Sequence, residues 1–263
     1  MSYTGFKLVK YSYRPIFESG LWNMLRCSVM TTSKEYLQKL WREADAVCFD
    51  VDSTVIKDEG LDDLANYCGV GPQVEAMTLK AMGGGMTFRE ALTQRLNIVK
   101  PTRQTVENFI VDHPSTFSPN IKELIALLKS LNKQVYLVTG GFRSIITPVA
   151  NDLNIPQEHL FANTLLFNED GSYAGFDTSS LTSESGGKAR VVQHIKDTYK
   201  VKTVVFVGDG ATDMEACPPS DGFIGYGGNV VRAAVKKNAA WFVTDFQELI
   251  DQLTKTTNEI HKS

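Results

Sequence analysis

The stretch Ala46–Thr54 constrains the fold more than any other part of the chain, because an apolar run ends there at two carboxylates. Positions 46–49 are all apolar, and Asp50 and Asp52 follow, separated by one residue. A run that is apolar at every position is typical of a strand buried on both faces of a parallel sheet. Ligands of open parallel sheets bind beyond the carboxyl ends of the strands, so both carboxylates are predicted to border a binding site.

The close spacing of Asp50 and Asp52 favours a metal site. Two carboxylates this near each other repel, and a hard cation such as Mg²⁺ would offset the cost of burying them. An acidic turn after a strand is the alternative interpretation of this stretch alone. A calcium loop of the EF-hand type is excluded, because Val55 and Leu61 occupy the positions of its glycine and its closing glutamate.

Composition and charge narrow the class of protein. Hydrophobic residues make up 43% of the 263 positions and charged residues 22%, as in a globular protein that is long for one compact domain. The net charge of -3 gives no electrostatic footprint for nucleic acid, and no apolar run is long enough for a membrane span. The four cysteines lie far apart without metal-ligand spacing, which is typical of a reduced, cytoplasmic protein.

The order of predicted elements indicates a doubly wound α/β fold. After the first strand, residues 58–131 are predicted to form consecutive helices, one of them opened by the capping box Thr87–Glu90. Residues 165–176 contain the turn formers of a β-hairpin. Further strands are predicted at 134–139, 203–208, 223–226 and 241–243, and late helices at 229–238 and 245–255.

We therefore expect a mostly parallel Rossmann-like sheet with an inserted helical cap domain and a small β-hairpin. The core is assigned to residues 33–56 and 132–263, and the cap to residues 57–131, whose last helix returns to the core. Residues 1–32 are rich in basic, hydroxyl and aromatic side chains. They are interpreted as a disordered or variable N-terminal extension, with an organelle-targeting segment as the alternative.

Three further motifs carry polar groups at predicted strand or loop ends. Thr139 is followed by two glycines, and Lys188 follows two glycines at a helix start, where backbone amides bind anions. The second stretch is not a P-loop, because the Walker spacing is missing and Ala189 replaces its hydroxyl residue. Asp209 and Asp213 add a second carboxylate pair after a strand. Each motif alone is compatible with an ordinary turn, whereas the ordered set on one sheet edge is specific.

The order of these motifs resembles the haloacid dehalogenase superfamily of phosphohydrolases, and within it the phosphatases that act on O-phospho-L-serine. The stretches that carry the resemblance are Cys48–Thr54, Ala81–Gly84, Thr139–Arg143, Ser185–Lys188 and Gly208–Asp213. The resemblance covers essentially everything from about Ser33 onward. It implies a Mg²⁺-dependent hydrolysis of O-phospho-L-serine to L-serine and phosphate, the last step of L-serine biosynthesis, on a haloacid dehalogenase-like core.

The resemblance also implies a role for each carboxylate. Asp50 would be the nucleophile that forms an aspartyl-phosphate. Asp52 would protonate the departing serine oxygen and then deprotonate the hydrolytic water. One Mg²⁺ per chain would be held by Asp50, the backbone carbonyl of Asp52 and Asp209, with Asp213 supporting these ligands.

Substrate contacts are implied in the same way. Thr139 and Lys188 would grip the phosphate oxygens. Glu59 would face the substrate ammonium and Arg95 its carboxylate. The other residues implied at the substrate are Met82, Gly83, Phe88, Gly140, Gly141 and Thr212. Without the resemblance, Arg95 is interpreted as a solvated charge on a helix. Met82 and Phe88 are then interpreted as core residues. Close relatives often carry serine at the position of Thr139. The replacement by threonine retains the hydroxyl group.

Two other functions stay open at this point. Another small-molecule phosphatase or phosphotransferase of the same superfamily would share the core and differ in the cap. A phospho-acceptor signalling module also uses an aspartate, Mg²⁺, a hydroxyl residue and a lysine on an α/β sheet, but it is much shorter and lacks a counterpart of Asp52. The expected partner is a small-molecule substrate, without nucleic acid or membrane, and a homodimer is left open.

Overall fold

A computed structural model of the protein describes residues 33–82 and 85–260, without the side chains of Met82 and 256–260. The predictions for residues 1–32, for Gly83 and for the Met82 side chain therefore lie outside the described residues. Among the described residues, no helix combines the length and the apolar character needed to cross a membrane.

A six-stranded sheet forms the centre of the described chain, in the order β3-β2-β1-β6-β7-β8, and each neighbouring pair is parallel. Its strands are β1 (Ala46–Phe49), β2 (Gln134–Phe142), β3 (Leu160–Asn163), β6 (Val204–Gly208), β7 (Gly222–Tyr226) and β8 (Trp241–Val243). The predicted hairpin is present as the antiparallel pair β4 (Leu165–Phe167) and β5 (Tyr173–Phe176). This topology confirms the predicted doubly wound α/β fold class.

Helices surround the sheet and fill the long connection after β1. They are α1 (Lys34–Glu43), α2 (Gly60–Tyr67), α3 (Gly71–Met82), α4 (Phe88–Val99), α5 (Arg103–Asp112), α6 (Ile121–Ser130), α7 (Arg143–Asp152), α8 (Gly187–Tyr199), α9 (Ala211–Met214), α10 (Ala233–Asn238) and α11 (Gln247–Ile260). The capping box that opens α4 is present, since the Thr87 hydroxyl accepts from the Glu90 amide at 3.2 Å and the Glu90 carboxylate accepts from the Thr87 amide at 2.8 Å.

Successive residues of β1 are buried on opposite faces of the sheet, as the apolar run predicts. Val47 and Phe49 belong to the larger hydrophobic core, which also contains residues of α1, α6 and α11. Ala46 and Cys48 belong to a smaller core that contains residues of α8. Both faces are covered, so the polar residues that follow β1 are confined to its carboxyl end.

Of the element boundaries that differ from the sequence prediction, two bear on the edge of the sheet that carries the paired carboxylates. Strand β2 continues through Gly140 and Gly141 to Phe142, because Phe142 pairs with Asn163 of β3. In addition, the side-chain amide nitrogen Nδ2 of Asn163 donates to the Gly140 carbonyl at 2.8 Å. Helix α10 begins at Ala233 instead of position 229. The residues before it form a loop held by side-chain contacts that local sequence patterns do not reveal.

Candidate active site

The carboxyl ends of three neighbouring strands bring the predicted polar residues together. Strand β1 lies between β2 and β6. Asp50 follows β1, Thr139 lies in the carboxyl-terminal half of β2, and Asp209 follows β6. Lys188 and Asp213 are supplied by the first turns of α8 and α9. The structure thus places on one edge the motifs that lie far apart in the sequence.

A sharp turn after β1 directs Asp50 and Asp52 into the same cavity. The Asp50 amide continues the sheet by donating to the Val207 carbonyl at 2.9 Å. Ser53 then adopts a left-handed conformation with φ 54°, which reverses the chain. Glycine at position 141 leaves room for the Asp52 carboxylate, because a Cβ there would lie 2.9 Å from one of its oxygens.

Lys188 joins two of the buried carboxylates. Its Nζ lies 2.7 Å from an oxygen of Asp50 and 2.5 Å from an oxygen of Asp213, and its side chain is only 12% exposed. Asp209 is held by Thr54 Oγ1 at 3.1 Å and by Arg232 Nε at 2.6 Å. Carboxylate oxygens of Asp50, Asp209 and Asp213 lie within 4.8 Å of one another.

The carboxylates of Asp50, Asp209 and Asp213 are suited to binding a hard divalent cation. All-oxygen donor sets suit Mg²⁺ and Ca²⁺. Four aspartates lie at the site, and among the described residues Lys188 and Arg232 are the cations that pair with them. The resulting excess of buried negative charge is what a divalent cation would neutralise. The donor set present here is consistent with the Mg²⁺ that the resemblance implies.

Asp52 does not belong to the cluster of Asp50, Asp209 and Asp213, and its carboxylate contacts other groups. Its Oδ1 accepts from the Gly60 amide at 2.9 Å, and its Oδ2 accepts from the Thr139 hydroxyl at 3.2 Å. Burial raises the pKa of the Asp52 carboxyl, although these two hydrogen bonds and Lys188 oppose the shift. A raised pKa favours the protonated form that a general acid needs.

Burial and neighbouring charges also shift the pKa values of Asp50 and Lys188. Burial, followed by the charge of Asp213, raises the pKa of Asp50 well above its usual range, and Lys188 opposes that rise. Burial alone would lower the pKa of Lys188, but the carboxylates of Asp213 and Asp50 raise it overall. Lys188 therefore stays protonated, ready to bind an anion.

A cavity of about 640 Å³ separates this edge of the sheet from helices α2, α3 and α4. The predicted site residues that line it are Asp50, Asp52, Glu59, Phe88, Arg95, Thr139, Gly140, Gly141, Lys188, Asp209 and Thr212. The Phe88 ring closes against Gly140, where an added Cβ would meet it at 2.9 Å. Asp213, the other predicted site residue whose side chain the structure describes, is fully buried and does not line the cavity, but it contacts Lys188, which does.

Arg95 differs from a solvated helix charge. Its Nε is buried and has no hydrogen-bond partner among the described residues. Burial lowers the pKa of its guanidinium, and the nearby carboxylates of Asp62 and Glu59 oppose that shift. Because a buried N–H group without an acceptor is costly, this wall of the cavity presents a position suited to an anion.

Arg232 is a site residue that sequence reasoning missed. Besides its contact with Asp209, its Nη2 lies 3.4 Å from Oε1 of Glu59, which also accepts from the Ser53 hydroxyl at 2.6 Å. A sequence signal for Arg232 was available, because two glycines follow β7 shortly before it. The carboxyl end of β7 lies at the same edge of the sheet as the other polar motifs. Asp62 was also missed; it lines the cavity, and its Oδ1 is buried without a partner among the described residues.

Comparison with known proteins assigns the class. The family model for haloacid dehalogenase-like hydrolases matches residues 44–219. The chain therefore belongs to the haloacid dehalogenase-like hydrolases. The phosphoserine phosphatase of Mus musculus is 53% identical over 221 residues, which cover 84% of this chain and 98% of that protein. Within its class, the chain is accordingly a member of the phosphoserine phosphatase family and a phosphatase enzyme.

Two further comparisons agree with this placement. The chloroplastic phosphoserine phosphatase of Arabidopsis thaliana is 50% identical over 223 residues, covering 84% of this chain and 75% of that protein. A solved structure of a phospho-aspartyl intermediate analogue of phosphoserine phosphatase is 25% identical, with a TM-score of 0.68, and covers 79% of this chain and 98% of that one. The resemblance and the fold inferred from the sequence are confirmed.

Proposed function

We propose that the protein hydrolyses O-phospho-L-serine to L-serine and phosphate with Mg²⁺, as the last step of L-serine biosynthesis. The observation that carries this proposal is the buried Nε of Arg95, which has no hydrogen-bond partner among the described residues, in the cavity that contains Asp50 and Lys188. One end of the cavity suits a phosphate and the opposite wall suits a carboxylate. Phosphoserine carries both groups on one small molecule.

The phosphate end provides a nucleophile and the charges that it needs. An Asp50 carboxylate that approaches a phosphate at ~4 Å is repelled by about 4 kcal/mol at an effective dielectric of 20, per pair of unit charges. Lys188 contacts Asp50 and can contact the phosphate as well, so it offsets part of that repulsion. Mg²⁺ would be held by Asp50, Asp209 and the Asp52 carbonyl, with Asp213 supporting these ligands, and would supply the remaining neutralisation. Asp50 then forms a covalent bond to phosphorus as the serine oxygen leaves.

Asp52 handles the protons of both steps. A serine alkoxide is a poor leaving group, so the protonated Asp52 carboxyl donates its proton as the ester bond breaks. The resulting carboxylate then takes a proton from the water that attacks the aspartyl-phosphate. Phosphate is released, Asp50 is regenerated, and Asp52 is protonated again for the next turnover. The hydrogen bonds from Gly60 and Thr139 hold the carboxyl in position throughout.

The amino-acid end of the substrate would lie between the helices and the sheet. Arg95 would bind the substrate carboxylate as a bidentate fork, and Glu59 would accept its ammonium group. Arg232 would keep Glu59 in place through the contact at 3.4 Å. Phe88, together with Met82 and Gly83, would line the cap side of the substrate. A substrate without a carboxylate would leave Arg95 unpaired, which penalises its binding.

The division into a core and a cap is proposed together with this function. Residues 33–56 and 132–263 would form the core, and residues 57–131 the cap that opens for substrate and closes to exclude water. Helices α2 to α5 occur consecutively within the cap range, whereas α6 packs on β2 and α11 and would return to the core. A cytoplasmic location and a homodimer stay predictions, and the name of the plant relative keeps organelle targeting by residues 1–30 open.

A substrate panel tests the proposed function. Phosphate release is measured from L-phosphoserine, phosphothreonine, phosphoethanolamine, a nucleotide and p-nitrophenyl phosphate, with Mg²⁺ or with EDTA. We expect release that requires Mg²⁺ and strongly favours L-phosphoserine. Mg²⁺-dependent release with a different preferred substrate would retain the mechanism and reject the substrate. Absence of release from every compound would reject the proposed activity.

Replacing Arg95 with alanine tests the carboxylate site. We expect kcat/KM for L-phosphoserine to fall by about 10²–10³-fold, as when one partner of a buried charge pair is removed. Hydrolysis of p-nitrophenyl phosphate, which has no carboxylate, should change far less. Arg95→Lys keeps the positive charge but loses the planar, bidentate guanidinium. Its kcat/KM for L-phosphoserine should therefore lie between those of Arg95→Ala and the unaltered enzyme. Equal losses on both substrates would remove Arg95 from carboxylate recognition.

A further inference from the structure

The first turn of α4 is fastened to the loop of residues 178–185, which leads into α8 and Lys188. The Phe88 amide donates to Ser185 Oγ at 3.2 Å. Arg89 Nη2 donates to the Thr178 carbonyl at 3.1 Å and to Ser183 Oγ at 3.0 Å, and its Nε donates to the Ser183 carbonyl at 3.4 Å. The same Nη2 lies 3.1 Å from a carboxylate oxygen of Glu184. One guanidinium thus connects a cap helix to several acceptors on the core side.

The loop that Arg89 contacts is tied to the phosphate end of the cavity. Thr182 and Ser183 are buried, and the Thr182 hydroxyl donates to Asn163 at 2.9 Å. Asn163 in turn donates to the carbonyl of Gly140, the residue that follows Thr139. The loop is therefore continuous with the strand end that carries the phosphate contacts, and it cannot shift without disturbing them.

We propose that Arg89 is a positioning residue that holds the first turn of α4 over the phosphate end and keeps Phe88 against Gly140 while the reaction proceeds. The inference rests on the proposed function, and it adds a residue to which no role was assigned above. The planar fork of arginine matches several acceptors at fixed angles, which an ammonium group cannot reproduce. The Arg89 side chain is 37% exposed, so water can replace its partners when the cap opens.

Arg190 provides a matched control. It binds the other oxygen of Glu184 at 2.9 Å and also donates to the carbonyls of Ser185 and Leu181. Arg190 belongs to α8, so all of these contacts stay within the core and none reaches α4. If Arg89 only stiffened the loop, loss of either arginine would have the same effect. If Arg89 fastens the cap, the two variants differ.

The kinetic test compares Arg89→Ala, Arg89→Lys and Arg190→Ala with the unaltered enzyme. Loss of the charge-assisted bonds lowers the fraction of closed cap, so we expect Arg89→Ala to raise KM by about tenfold for both L-phosphoserine and p-nitrophenyl phosphate. The kcat should be retained, and Arg89→Lys should recover part of the loss. Arg190→Ala should keep the original KM. A fall in kcat at unchanged KM would indicate loss of folded enzyme and would overturn the proposal.

Amide hydrogen exchange tests the same contact without any substrate. We expect Arg89→Ala to accelerate exchange in the first turn of α4, and Arg190→Ala to accelerate it in the loop of residues 178–185 instead. Unchanged exchange in α4 would contradict the proposed contact. If the unaltered enzyme did not hydrolyse L-phosphoserine, the proposed function would fail while this comparison still decided the role of Arg89.

Discussion

Replacing Asp50 with asparagine is expected to abolish turnover, by on the order of 10⁴–10⁶-fold, because the attacking oxygen anion is lost while the shape of the side chain is kept. Phosphate release from L-phosphoserine measures this loss directly. Mass spectrometry of acid-quenched enzyme should show an added phosphoryl group in the unaltered protein and none in the variant. Retained phosphatase activity would reject Asp50 as the nucleophile.

The same variant should remain folded, and its stability separates chemistry from folding. The pKa of Asp50 is raised in the folded state, first by burial and then by Asp213. Its contribution to the free energy of unfolding is therefore fully present below the unfolded pKa and is lost as pH rises through the folded pKa. Asparagine does not ionise, so in EDTA at neutral pH the Tm of Asp50→Asn should equal or exceed that of the unaltered protein.

Asp45 offers a control at the opposite end of the same strand. Its carboxylate accepts from the amides of Lys202 and Thr203 at 3.2 and 2.9 Å, far along β1 from the cavity. Asp45→Asn should keep the turnover of the unaltered enzyme and form the phosphoenzyme normally. If Asp45→Asn were as inactive as Asp50→Asn, general damage to β1 would explain both losses.

The ends of the strands could be predicted from the sequence because local residue patterns mark them. An apolar run followed by carboxylates defines β1 and Asp50, and glycines before a lysine define the start of α8. The parallel topology then brings these ends to one edge, as it does in any sheet of this kind. The prediction for Lys188 therefore needed only the order of the elements, and the structure places it between Asp50 and Asp213.

Residues whose role depends on distant partners could not be found in this way. Arg232 precedes a short helix and looks like a solvated charge, whereas its partners Asp209 and Glu59 lie 23 and 173 positions away. The extension of β2 through Gly141 likewise depends on pairing with β3, against the turn tendency of two glycines. In both cases tertiary contacts override the local pattern.

Replacing Asp52 with asparagine should separate the two chemical steps. The amide can keep both hydrogen bonds, since its oxygen can accept from Gly60 and its nitrogen can donate to Thr139 Oγ1. It can neither donate a carboxyl proton nor accept one from water. We expect kcat/KM for L-phosphoserine to fall by about 10²–10⁴-fold, the usual contribution of a positioned general acid.

The leaving group decides what the Asp52 variant shows. A p-nitrophenolate leaves without a proton, so Asp52→Asn should still transfer the phosphoryl group to Asp50. Without a base for the water, the phosphoenzyme should then persist. Stopped-flow absorbance should therefore record a burst of p-nitrophenolate equal to the enzyme concentration, followed by slow turnover. L-phosphoserine should give no burst, because its first step needs the missing proton.

The pH profile supplies the final check on Asp52. Activity that needs its proton is present below the pKa of the carboxyl and declines above it, and burial moves that pKa upward from its usual value. The unaltered enzyme should show this alkaline decline in kcat/KM for L-phosphoserine, and Asp52→Asn should lack it. Asp62→Asn removes a different carboxylate from the same cavity and should retain the alkaline decline. A decline that persists in Asp52→Asn would assign the titrating proton to another group and reject Asp52 as the general acid.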